Sequence, residues 1–181
     1  NIEMETGTGK TFVYLKSILE MNKQYGFTKF IIVVPSVAIK EGVMKTLEMT
    51  KDYFRSTMQG QVYRSFMYDS SKLNDVQAFA TSDDVEIMVI NIQAFSIRAK
   101  NNDNMNIIYR NDMDALYGIA PIELIAETKP IVIIDEPQSV DNTENAQAAI
   151  AALSPSVTFR FSATHKNKTY PLIYKLGPVE A

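Results

Sequence analysis

The sequence predicts an α/β fold, a mostly parallel sheet sandwiched between helices, with a phosphate-binding loop joining its first strand to its first helix. Two observations carry this expectation. Short β-branched apolar runs alternate with longer amphipathic stretches, the pattern of βαβ units whose crossover helices cover both faces of a parallel sheet. The segment Met4-Glu5-Thr6-Gly7-Thr8-Gly9-Lys10-Thr11 then falls at a strand-to-helix junction, which is where such a loop has to lie.

The elements follow in order. A short first strand covers about Ile2 to Met4. From Lys10 to Tyr25, Phe12, Val13, Leu15, Ile18, Leu19 and Met21 recur at helical spacing, and Gly26 supplies a stop. Phe30 to Val34 is a continuous apolar run ended by Pro35, as expected of a buried central strand, and Ser36 caps a helix reaching about Tyr53. A strand near Gln61 to Tyr68, a helix near Leu73 to Ala80 and a strand at Glu86 to Asn91 continue the alternation. The polar patch Asn101 to Asn106 marks the tip of an inserted loop or hairpin over about Arg98 to Tyr117. Pro121 opens a helix running to Glu127, and Ile131 to Ile134 is the most apolar strand, delivering Asp135 and Glu136 at its carboxyl end. An alanine-rich helix (Asn145 to Leu153) and a strand (Thr158 to Phe161) complete the series, with Ser162-Ala163-Thr164 as its exit.

Bulk properties narrow the function classes. The 181 residues suit one domain, and a 46% apolar and 22% charged composition is that of a globular protein. No apolar run approaches the roughly 20 residues of a membrane span. The absence of cysteine removes disulfides, thiolate metal sites and cysteine nucleophiles together, and fits a reducing cytoplasm. A net charge of -3 gives no global attraction to nucleic acid, so any DNA contact has to come from a local groove. A loaded loop so close to residue 1, and an end at Leu176 to Ala181 without a closing element, predict that the chain is a piece excised from something longer.

The loop carries the most specific chemistry. Its glycines let backbone N–H groups wrap an anion without Cβ interference, and the helix starting near Gly9 points its positive end at the same anion. Thr6, Gly7, Thr8, Gly9, Lys10 and Thr11 are therefore the candidate nucleotide-binding residues. Lys10 would reach the β and γ phosphates of ATP, and the Thr11 hydroxyl would ligate Mg²⁺. Met4 departs from the general pattern, which asks for a glycine there.

Asp135 and Glu136 emerge from a buried strand at the sheet edge where open α/β folds bind ligands. An aspartate there can hold Mg²⁺ through water, and the glutamate can orient and deprotonate the water attacking the γ phosphate. The same pair followed by Pro137 also describes an ordinary helix start. Gln138 could bond Ser162 or Thr164 and couple the nucleotide site to the rest of the domain, although both hydroxyl residues also suit strand-end caps. His165, the single histidine, has no neighbouring metal ligands and is read as a packing or surface residue.

METGTGKT, then VVPSVAIKEGV from Val33 to Val43, DEPQ from Asp135 to Gln138, and FSATH from Phe161 to His165 come in the order and spacing of superfamily 2 helicase motor lobes. DEPQ together with IIVVPSVAIKEG resembles the restriction (Res) subunit of type III restriction-modification enzymes, in which Met or Ala often replaces the first loop glycine. The resemblance implies a RecA-like first lobe that binds Mg·ATP, shares a DNA groove with a second lobe, and works in the bacterial cytoplasm with a DNA-methylating modification subunit. It places Ser36 and, less specifically, Lys40 on the DNA backbone, and Asn91 to Phe95 on a further DNA-facing segment; for Ser36 a plain helix cap serves the sequence equally well. A second lobe, its arginine finger and a nuclease lie outside these residues, so the piece alone should bind ATP weakly and hydrolyse little of it. Another superfamily 2 translocase, or a lobe that only senses nucleotide, would share most of these features.

Overall fold

Alternation along the central strands explains the layering. The computed structural model describes residues 1–5, 8–96, 105–112, 116–163 and 170–176. In the second strand, β2 (Lys29–Val34), Phe30, Ile32 and Val34 enter one apolar cluster while Ile31 and Val33 enter another on the opposite face. A strand apolar at every position from Phe30 to Val34 can be satisfied only by helices on both sides, and that is what surrounds it.

The first face is covered by α1 (Lys10–Tyr25), which follows β1 (Ile2–Met4), and by α2 (Val37–Thr57), which follows β2. The second face carries α3 (Leu73–Thr81), between β3 (Arg64–Met67) and β4 (Glu86–Asn91), together with α4 (Pro121–Glu127). After β5 (Ile131–Asp135) come a single-turn α5 (Pro137–Val140) and α6 (Glu144–Ala152), on the same second face, and then β6 (Val157–Ser162) and β7 (Tyr174–Leu176). The seven described strands form one sheet in the order β3-β4-β2-β5-β6-β1-β7, and every pairing is parallel. The expected α/β sandwich is therefore observed, with a sheet that is wholly rather than mostly parallel.

Several boundaries moved for local reasons. α2 runs on to Thr57, and left-handed Gln59 and Gly60 then turn the chain, so Gln61 does not enter a strand. Its side-chain amide instead donates to the Leu19 carbonyl and to Asn22 Oδ1 near the end of α1, both at 3.1 Å. The expected strand series ends at Phe161, whereas the structure adds β7, which pairs with β1 through Ile2↔Tyr174 and Met4↔Leu176; residues 177–181 lie outside the described residues. The three residues of β7 give no alternation, and Leu172 and Ile173 before it are exposed, so no periodic signal announces it. Of the inserted segment, residues 97–104 and 113–115 lie outside the described residues; a 3₁₀ turn at Ile107–Tyr109 buries Ile108 against the second face.

Candidate nucleotide site

Strand register brings the sequence motifs to one edge. Asp135 is level with Phe161, which is level with Ile2, so the ends of β5, β6 and β1 lie side by side. Gly9, at φ +83°, is the left-handed entry to α1, and Val13 N–H donates to its carbonyl at 3.0 Å. A Cβ placed on Gly9 would meet nothing within 4 Å, so its backbone conformation, and not packing, demands glycine there, and open space for an anion remains beside it. The Thr8 hydroxyl donates to the Glu5 carbonyl at 2.7 Å and pins the loop's exit. Thr6 and Gly7 lie outside the described residues. Met4, at the position of the missing glycine, is a core side chain 1% exposed.

Lys10 and Glu136 meet directly, Nζ to Oε1 at 2.9 Å, with side chains only 11% and 25% exposed. Glu136 is held for this in the left-handed region at φ 57° and ψ 63°, a conformation costly for a residue with a Cβ. Its N–H donates to the Phe161 carbonyl at 3.0 Å, and Pro137 starts α5 immediately after, so the flanking structure fixes the turn. The other Glu136 oxygen accepts from Gln138 Nε2, and Gln138 Oε1 accepts from Ser162 Oγ at 2.7 Å. One chain of contacts thus runs Lys10–Glu136–Gln138–Ser162, from the start of α1 to the end of β6. Thr164 and His165 lie outside the described residues.

Asp135 points the other way. Ile131 and Ile133 face α1, and strand alternation sends Asp135 to the same side. It is 7% exposed, and burial, then the neighbouring Glu136 carboxylate, push its pKa up to about 6, with Lys10 acting against the rise. Its Oδ1 is buried without a hydrogen-bond partner. A buried carboxylate at this edge, within reach of the Lys10 charge, suits a hard cation, and Mg²⁺ is commonly held by one or two carboxylates with the rest of its shell from phosphate and water. Among the described residues no cluster of three or more His, Asp or Glu side chains forms an all-protein metal cage.

Sequence reasoning missed a second brace on α5. Arg160 Nε donates to Asp141 Oδ2 at 2.6 Å, with side chains 13% and 3% exposed, and the guanidinium lies 3.8 Å from the Tyr170 ring centroid. The available signal was a charged residue inside β6, sharing its face with Thr158 and Ser162 opposite the apolar Val157, Phe159 and Phe161. Ser36 caps α2, accepting weakly from Ile39 N–H at 3.4 Å, and Lys40 Nζ donates to the Tyr68 carbonyl at 3.2 Å. These two are about one strand's width from the Asp135 edge, because Val33 is level with Ile134.

The family model described as type III restriction enzyme, res subunit, matches residues 1–167. The chain belongs to that family. The Res subunit of the type III restriction-modification enzyme EcoPI from Escherichia phage P1 is 28% identical over the whole chain, and that of EcoP15I from Escherichia coli 29%. The StyLTI Res subunit of Salmonella typhimurium is 31% identical over 91% of the chain. The chain spans about a fifth of the length of these relatives. Among its described residues no helix is long and apolar enough to cross a membrane.

Proposed function

We propose that this Res-family domain is the ATP-gripping lobe of a DNA motor in a type III restriction endonuclease. The observation that carries the reading is the Lys10–Glu136 pair joined through Gln138 to Ser162, because it puts the phosphate-loop lysine and the acidic strand end within one connected site. Thr8 to Thr11, with Thr6 and Gly7, hold the triphosphate; Thr11 and Asp135 hold Mg²⁺, which when bound neutralises charge on the phosphates. An arriving γ phosphate competes with Glu136 for Lys10. Once Lys10 turns to the phosphate, Glu136 is free to orient water and take its proton, and the change reaches Ser162 through Gln138.

Ser36 and Lys40 face DNA in this reading, the second lobe and nuclease are supplied by other parts of the protein, and a modification methyltransferase is the partner subunit. The deciding measurement is equilibrium binding of a fluorescent ATP analogue to the full-length protein. Lys10→Ala should weaken it by at least tenfold, since a charge-assisted phosphate contact contributes about 1.5–3 kcal/mol. Unchanged binding would remove the site from this edge of the sheet.

A further inference from the structure

Behind the proposed metal site lies a tyrosine that the reading above leaves without a task. Tyr14 is 0% exposed, sits one helical turn after Thr11 on the inner side of α1, and its ring is clamped edge-on against Phe161, centroids 5.5 Å apart at 70°. Its hydroxyl is buried and makes no hydrogen bond of ordinary length, although the Thr11 side chain acts on its oxygen as a hydrogen-bonding group, which leaves the phenol proton to be donated elsewhere. Around it the packing is apolar, with Met4, Leu15, Ile133 and Phe161 in the same cluster. Asp135 and Thr11 are the polar side chains whose influence reaches the phenol. Asp135 in turn holds a second orphan, its inner oxygen Oδ1.

Buried polar atoms are nearly always paired, and of the seven buried side-chain atoms that lack a full hydrogen bond among the described residues, these two share one face of the sheet. These two are also complementary, a phenol O–H that donates and a carboxylate oxygen that accepts. A phenylalanine would fill the same apolar space without stranding a hydroxyl, so packing alone does not account for the tyrosine. Asp135 is the last residue of β5, where a turn of the carboxylate does not disturb the ladder.

We infer that Tyr14 is a positioning residue for the divalent cation of this site: its hydroxyl donates to the inner oxygen of Asp135 and thereby turns the outer oxygen toward the ion beside Thr11. The inference rests on the ATP-site reading and adds to it a support behind the metal ligand. Such outer supports fix ligand orientation, and their loss typically lowers metal affinity by roughly 10–100-fold.

The test uses Tyr14→Phe in the full-length protein, with Mn²⁺ as the probe ion followed by its paramagnetic resonance signal. In the ATP complex, Mn²⁺ affinity should fall on the order of tenfold, and the Mg²⁺ concentration giving half-maximal ATP hydrolysis should rise by a similar factor. ATP affinity measured in EDTA should stay the same, because the phosphate loop is untouched, and the metal-free melting temperature should hold or rise. Unchanged Mn²⁺ affinity would overturn the inference, as would an equal loss of ATP affinity in EDTA, which would mark a packing defect. If the wild-type protein binds Mn²⁺ no better with ATP than without it, or Lys10→Ala leaves ATP binding intact, the ATP-site reading itself fails and takes the role of Tyr14 with it.

Discussion

The carboxyl edge of the sheet has two halves that treat polar groups differently. At the ends of β1, β5 and β6, Glu136 sits in a strained backbone conformation, Asp135 is buried with an open oxygen, and Lys10 is paired across from the loop it is proposed to serve. At the ends of β2 and β4 the side-chain amides already have local partners, and the one exception nearby is the buried Tyr68 hydroxyl after β3. Gln93 Nε2 donates to the Pro35 carbonyl at 2.7 Å and its Oε1 accepts from Asn91 at 2.9 Å, while Asn106 donates to the Ala94 carbonyl at 2.9 Å. Unpaired and strained groups mark a place where a ligand completes the structure. The other half, with its amides mostly satisfied and its backbone in ordinary helix-start geometry at Ser36, is suited to presenting backbone and helix-start groups to a long polyanion.

If that contrast is sound, the largest effect belongs to Glu136. Glu136→Gln keeps the shape but removes the base and the charge holding Lys10. ATP turnover by the full-length protein should fall by about 10²–10⁴-fold, while ATP binding is retained or tightened because Lys10 no longer has to leave a carboxylate. Parallel turnover and equilibrium-binding measurements check both halves; a variant that loses binding along with turnover would mean the pair is structural, and the two halves of the edge would no longer differ in kind.

Asp135 gives a second, smaller test through pH. Its folded-state pKa of about 6 lies above the ordinary carboxylate value, so the folded protein binds the extra proton between roughly pH 4 and 6. Stability of the metal-free protein should therefore decline as pH rises through that window and level off above it. Asp135→Asn should flatten the decline and leave the metal-free protein more stable at neutral pH, by on the order of 2–3 kcal/mol, while metal binding is lost. Urea unfolding at a series of pH values, with and without Mg·ATP, reads this directly. A pH-independent wild type would show that Asp135 is not held out of its preferred state.

The same contrast explains what was legible in the sequence. The order of strands and helices was readable because β2, β4 and β5 are apolar on both faces and the helices between them keep a 3.6-residue period. The candidate phosphate loop and the acidic strand end could be singled out because the chemistry proposed for them needs fixed residue types at fixed spacing. Glu136 facing Lys10 was not readable, since it depends on a left-handed turn at a residue that ordinarily avoids one. Tyr14 was hidden inside a helix whose apolar pattern it continues, and Arg160 with Asp141 joins residues 19 apart whose meeting depends on how β6 runs past α5. β7 carries no periodic signal at all, because an edge strand of three residues, with Tyr174 and Lys175 exposed and only Leu176 packed inward, is defined by its neighbour β1.

The smallest effects belong to the β2 and β4 half, and salt dependence separates its two candidates. Ser36→Ala removes a long cap bond, so stability should fall by only about 0.5 kcal/mol. If the hydroxyl also meets a phosphate, DNA affinity should drop by about 1 kcal/mol at every salt concentration, because a neutral donor displaces no counterion. Lys40 carries a charge, and Lys40→Ala should reduce the slope of log affinity against log salt by about 0.9. Titrations of the full-length protein with duplex DNA at several salt concentrations measure both quantities. An unchanged slope would assign Lys40 wholly to its bond with the Tyr68 carbonyl, a tie between α2 and the end of β3, and would leave Ser36 with the N–H groups at the start of α2 as this region's route to the DNA backbone.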